Sequence, residues 1–124
     1  MIGIGTDIIE VARVARVLER HRERFLRRVL VPLEYEQCLS TSEPARYLAK
    51  RFAAKEAVSK ALGTGIGVAL GWQDLWVERA VGAAPRVGFS ARGAALLSDR
   101  GAREVLLSLS DERAYAVAFA VVLA

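Results

Sequence analysis

Tyr115-Ala116-Val117-Ala118-Phe119-Ala120-Val121 alternates large and small apolar residues. Side chains in a strand point alternately to opposite faces, so this segment is a strand with one bulky apolar face and one small apolar face. Both faces then need a cover, supplied by a helix or by another chain. The small face (Ala116, Ala118, Ala120) permits unusually close packing, either against a neighbouring subunit or within the core. Ala118→Arg tells the cases apart: an interface gives a folded, inactive monomer, whereas a core position gives unfolded protein. The strand extends over Tyr115–Leu123, and Val105–Ser110 precedes it as a second strand. Asp111-Glu112-Arg113-Ala114 is read as the hairpin connection.

Working outward, Leu75–Arg79 and Arg86–Phe89 read as short strands, and Ser90 caps a helix that Gly101 ends. Ile2 to Ile9 is a strand containing Gly3 and Gly5, which signals close approach of another backbone or of a ligand. From about Glu10 the period turns helical. Val11, Val14, Ala15, Leu18 and Phe25 form an apolar stripe with arginines opposite. A further helix is expected around Leu33–Ser40. Ser42-Glu43-Pro44 starts a long helix, with Ser42 as the capping hydroxyl, that runs to about Leu62 and stops at Gly63. The expected fold is α+β: one small domain over residues 1–124, with an antiparallel sheet packed against helices.

Composition fits an ordinary globular domain, with 53% hydrophobic and 26% charged residues. Cys38 is the only cysteine, so no intrachain disulfide exists, and it reads as a small buried hydrophobe. The opening MIGIGTDIIE has no basic region of the signal-peptide type, and Ala114 to Ala124 is too short to cross a bilayer as a helix. A cytoplasmic, non-membrane protein is expected. The charge is uneven. Seven arginines (Arg13, Arg16, Arg20, Arg22, Arg24, Arg27, Arg28) and two glutamates (Glu19, Glu23) put +5 in one segment, against +4 for the whole chain. Such a patch suits an acidic partner or is simply a solvated helix face.

Candidate chemistry is sparse. Gly3-Ile4-Gly5 lacks the third glycine of a dinucleotide fingerprint, since position 8 is isoleucine. Gly63-Thr64-Gly65-Ile66-Gly67 follows its helix, whereas a phosphate loop precedes one; it is a C-cap, or it meets phosphate through backbone N–H groups and nearby cations. His21, the only histidine, lies among the arginines and reads as a surface residue, so no Ser-His-Asp triad or Cys/His zinc site can be assembled. Asp7 ends an apolar strand. Leu48, Phe52, Glu56 and Lys60 climb one helix stripe, with Phe52 in the core and Glu56 at its edge. Glu56 and Lys60 are an i,i+4 surface pair, or Glu56 and Asp7 are two acids of the kind Mg²⁺ takes.

These residues carry a resemblance. Gly3-Ile4-Gly5-Thr6-Asp7-Ile8-Ile9-Glu10 with Arg13, and the block from Arg51 to Gly67 (RFAAKEAVSKALGTGIG), closely resemble the holo-(acyl-carrier-protein) synthases, the short single-domain phosphopantetheinyl transferases. SLSDERAYAVAFAVV resembles that family's last hairpin. The resemblance implies transfer of phosphopantetheine from coenzyme A to a carrier-protein serine, with Mg²⁺ on Asp7 and Glu56. Glu56 and Lys60 would be catalytic, and Arg51, Lys60, Gly63, Thr64 and Gly65 would lie at the coenzyme. Arg13, Arg24, Phe25 and Arg28 would dock the acidic carrier. It also implies a homotrimer with active sites between subunits. One departure stands out: where many relatives carry histidine beside the S-x-S of the penultimate strand, this chain has Leu106 and Asp111. The rival reading, a small basic nucleic-acid-binding module, rests on the arginines alone. Only Phe25 interleaves with them, and no nucleic-acid-binding motif is present.

Overall fold

A computed structural model describes residues 2–79 and 82–124. The elements run β1 (Gly3–Glu10), α1 (Val11–Val29), α2 (Pro32–Ser40), α3 (Pro44–Ala61), a 3₁₀ turn at Trp72–Asp74, β2 (Leu75–Glu78), β3 (Arg86–Phe89), α4 (Ala91–Asp99), β4 (Glu104–Glu112) and β5 (Tyr115–Leu123). The fold is α+β. The strands form an antiparallel sheet in the order β1-β5-β4 and a separate β2-β3 hairpin.

Small residues decide the centre of the molecule. Ala116, Ala118 and Ala120 of β5 are fully buried, and so are Ala49, Ala53, Ala54 and Ala57 of α3. A β-carbon added at Gly5 would stand 2.1 Å from the Ala57 carbonyl oxygen, and one at Gly3 would stand 1.9 Å from that of Ala61. The approaching backbone signalled by those glycines is therefore α3. This decides between the two covers open to the small face of β5. Its small face is core, and its bulky face is the one left open, with Phe119 at 43% and Tyr115 at 46% exposure. Ala118→Arg should consequently unfold the chain.

Three local expectations change. The α1 backbone breaks at His21 (φ −137°, ψ 36°), because the apolar stripe has no member between Leu18 and Phe25 to hold one continuous face on the core. Ser42 does not cap α3. Glu43 occupies the cap position without a side-chain bond, and the Thr41 hydroxyl accepts the Glu43 N–H instead. The last hairpin turns on two residues, with Glu112 paired to Tyr115 and Arg113 at φ 45°. By contrast Gly63 does adopt the left-handed conformation (φ 82°), and the Ser90 hydroxyl does accept the Gly93 N–H at 3.0 Å.

Asp74 ties the smaller half together. Its carboxylate accepts bonds from the Gly71 N–H, the Ser90 hydroxyl and the Arg92 guanidinium. The Arg92 bond above all holds the Asp74 pKa at about 2, against an ordinary 3.8. Stability from this group is complete above the ordinary value and is lost as pH falls through the lowered one. Acid unfolding followed by circular dichroism should be less steep in this range for Asp74→Asn, which should also melt lower at neutral pH.

Candidate active site

The β1–α3 contact sets the site. Asp7 lies on the inner face of β1, in register with Ala118, so it points toward α3 at the rim of the sheet. Lys60 crosses to it, donating to Asp7 Oδ1 at 3.0 Å and to the Thr6 carbonyl at 3.2 Å. The pairing possible at i,i+4 along the helix is thus replaced: Lys60 joins Asp7 rather than Glu56. Glu56, one turn before Lys60, opens into a cavity of about 360 Å³ lined also by Asp7, Arg13, Val17, Phe25 and Phe52. Burial raises the Glu56 pKa above its ordinary value and the Asp7 charge adds to this, while Lys60 opposes. Two carboxylates therefore face one another's field at the mouth of a largely apolar cleft.

That donor set suits Mg²⁺, which takes one or two hard carboxylate oxygens and fills the rest of its shell with water and phosphate. Among the described residues no cluster of three or more metal-ligating side chains stands together. The site is thus a two-acid one, unlike a structural zinc or calcium cage.

The other sequence candidates fall in three places. Arg13 and Phe25 line the same cleft as the acids. Arg24 and Arg28 are exposed on α1 beyond the break, with Arg24 bonded to His21 Nδ1 at 3.2 Å. Arg51 lies apart from the acids. It is buried on another side of α3, its guanidinium over the Tyr47 ring at 4.5 Å and its Nε 3.8 Å from Glu34. The 63–65 loop is internally satisfied: the Thr64 and Gly65 N–H groups both bond the Ser59 carbonyl, and that of Gly63 bonds Lys60. These three N–H groups are spent on the helix end and are unavailable as a phosphate nest. The cation beside the loop is Arg100, which donates to the Leu62 carbonyl at 2.7 Å. At the departure noted in β4, Asp111 is held by Arg46 and Lys50 of α3.

Sequence reasoning missed Lys55 and Glu34. Lys55 is fully buried, and its ammonium donates to Glu34 Oε1 (2.7 Å), the Val29 carbonyl (2.6 Å) and the Trp72 carbonyl (3.0 Å). Glu34 also accepts the backbone N–H groups of Val31 and Val77. A lysine beside Glu56 in a helix of this composition was the available signal. It points inward because α3 is covered on both sides, by the sheet and by α1, α2 and β2.

Comparison with known proteins finds relatives over nearly the whole chain. The family model described as the 4′-phosphopantetheinyl transferase superfamily matches residues 3–120. The holo-[acyl-carrier-protein] synthase of Edwardsiella ictaluri is 47% identical, covering 95% of this chain and 94% of that protein. The protein of the same name from Halorhodospira halophila is 49% identical, covering 96% and 94%. The crystal structure of the Neisseria meningitidis holo-[acyl-carrier-protein] synthase superposes with a TM-score of 0.94 at 37% identity, covering both chains completely. That of Helicobacter pylori, solved in complex with coenzyme A, gives 0.85 at 32% identity, covering 97% of this chain and 99% of that one. On matches of this extent, the chain belongs to the 4′-phosphopantetheinyl transferase superfamily, alongside the holo-[acyl-carrier-protein] synthases.

Proposed function

We propose that this chain is a cytoplasmic, Mg²⁺-dependent transferase serving fatty acid biosynthesis. It moves the 4′-phosphopantetheine group of coenzyme A onto a serine of apo acyl carrier protein and releases adenosine 3′,5′-bisphosphate. The observation that carries the reading is the convergence of Asp7, Glu56 and Lys60 from two separate elements. Coenzyme A in the Helicobacter relative supports the donor substrate.

The serine hydroxyl attacks the β-phosphorus, and the bond to the nucleotide-side phosphate oxygen breaks. Such phosphoryl transfer depends on positioning and charge neutralisation. Mg²⁺ on Asp7 and Glu56, when bound, neutralises charge on the pyrophosphate and the leaving group. Lys60 adds a second positive charge at the same point, held there by Asp7 and the Thr6 carbonyl. Glu56 would also orient a water that takes the serine proton. The Gly63-Thr64-Gly65 loop is assigned to the nucleotide through the Arg100 guanidinium beside it, since its own N–H groups are spent on the helix end. The direct test incubates the chain with coenzyme A, Mg²⁺ and apo carrier protein and reads the carrier by mass spectrometry. Gain of one phosphopantetheine is expected, and no gain with chelator present. An unmodified carrier in the presence of Mg²⁺ would refute the assignment.

The basic helix is assigned to the carrier. Arg13→Glu or Arg24→Glu should raise the carrier KM about 10-fold or more, mainly through slower association, and leave the coenzyme A KM nearly unchanged. Raised salt should act in the same direction. A carrier KM indifferent to both would reduce the helix to a solvated face.

The same proposal includes a homotrimer with sites between neighbours. It is supported by the open face of the sheet, where Ile4, Ile8, Leu106, Tyr115 and Phe119 are all more than 40% exposed. An apolar face of that kind is an association surface, and cyclic symmetry buries it in a closed assembly. Phe119→Arg should give a folded, inactive monomer by light scattering. An active parent protein with the mass of one chain would exclude the trimer.

A further inference from the structure

The carrier-docking helix is not one rigid rod. The backbone leaves the helical region at His21 (φ −137°, ψ 36°), so the orientation of residues 22–29 does not follow from that of residues 11–20. Something else must hold the second segment, which carries Arg24, Phe25 and Arg28.

The last carbonyls of a helix have no donor within the helix. Here two side chains from elsewhere supply them. Gln73 Nε2, with two N–H groups, donates to the carbonyls of Arg27 (2.8 Å) and Leu30 (2.7 Å), with the Arg28 carbonyl (3.2 Å) sharing one of them. Lys55 Nζ takes the one between, Val29, at 2.6 Å. The ammonium has three protons, and its other two go to Glu34 and to the carbonyl of Trp72, the residue preceding Gln73. Lys55 therefore grips the helix end and also the turn that carries the second clamp. A positive charge at a helix C-terminus is favoured by the helix dipole as well. Phe25, Phe52 and Trp72 stack along the same seam, with ring centroids 6.3 Å and 4.9 Å apart.

Burying the Lys55–Glu34 pair is a poor way to gain stability, because desolvation offsets most of the attraction. What the pair provides is directional: three bonds that fix one geometry. Lys55 adjoins Glu56 in the chain, and Phe25 of the clamped segment lines the Glu56 cleft. We propose that Lys55 and Gln73 are positioning residues that hold the second segment of α1 in the one orientation that presents Arg24, Phe25 and Arg28 together to the carrier. This rests on the transferase reading above.

Gln73 is exposed and uncharged, so its replacement leaves no buried charge behind. Gln73→Leu should raise both the carrier KM and the carrier Kd, measured by calorimetry, about 10-fold. The kcat at saturating carrier and the coenzyme A KM should stay within about twofold. Gln73→Lys, which restores a donor, should recover most of the carrier affinity. The paired variant Glu34→Gln with Lys55→Met, neutral at both positions, should show the same split, more strongly. Two results would overturn the proposal: a lowered melting temperature with unchanged carrier affinity, or equal losses in kcat and both KM values. If the paired variant fails to fold, the Gln73 variants decide alone. An unmodified chain that does not label the carrier at all would instead overturn the transferase reading, and this control is run first.

Discussion

Glu56→Gln should lose activity and gain stability in the same protein. The amide cannot supply the charged ligand, and losing one such contact in phosphoryl transfer costs at least ~3 kcal/mol of barrier, roughly 10²-fold in kcat. Stability moves the other way because of where the carboxylate sits. Burial first, and the Asp7 charge second, make folded Glu56 hold its proton more tightly than the ordinary value of 4.5 implies, with Lys60 in opposition. Its contribution to stability is therefore present below that ordinary value and is lost as pH rises through the raised one. At neutral pH the ionised side chain is a net cost in the metal-free protein, and the neutral amide removes it. In chelator, melting at pH 7 should be slightly higher for Glu56→Gln than for the parent chain. Added Mg²⁺ should raise the melting temperature of the parent, because a ligand bound only by the folded state stabilises it, and should leave the variant nearly unmoved. A folded variant with near-normal turnover would remove Glu56 from the chemistry.

Gly5→Ala should be severely disruptive for a single added methyl. Its β-carbon would meet the Ala57 carbonyl oxygen at 2.1 Å and the Ala61 nitrogen at 2.7 Å. Both are backbone atoms of α3, so no side chain can rotate aside, and the helix must lift from β1. Overpacking in cores costs about 1–3 kcal/mol when side chains can yield, and this case should exceed that range. Against a total stability of roughly 5–15 kcal/mol, much of the margin is gone. Activity should fall further than stability, since lifting α3 draws Glu56 and Lys60 away from Asp7. Gly67→Ala is the control: nothing lies within 4 Å of its added β-carbon, and its backbone is not in the left-handed region. Thermal melts and turnover measured on both variants test the claim. A Gly5→Ala protein as stable and active as Gly67→Ala would mean that the close β1–α3 contact does not set the site.

That contact also marks how far the sequence reaches. Periods of two and of 3.6 residues are local properties, so the strand expected at Leu75–Arg79 and found at Leu75–Glu78, the strand Arg86–Phe89 and the helix stopped by Gly63 were legible from residue order alone. So were the two glycines in β1, because only an approaching backbone or ligand makes glycine useful in a strand. The residue types at the site were equally legible, through an acid in an apolar strand and a Glu56–Lys60 spacing within a block that closely resembles a known family, although Asp7 lies within β1 and not at its end. Partners across elements were not. Lys60 sits four residues from Glu56 and bonds Asp7, fifty-three positions away, because α3 lies across β1. The direction of Lys55 was hidden for the same reason: a lysine turns inward only when tertiary packing supplies three acceptors in one place. The sheet makes the point most simply. Alternation showed that β5 has a small face and a large one, but which of them is core depends on what packs there. The alanines of α3 fit only against alanine and glycine, and that choice alone left Tyr115 and Phe119 facing outward.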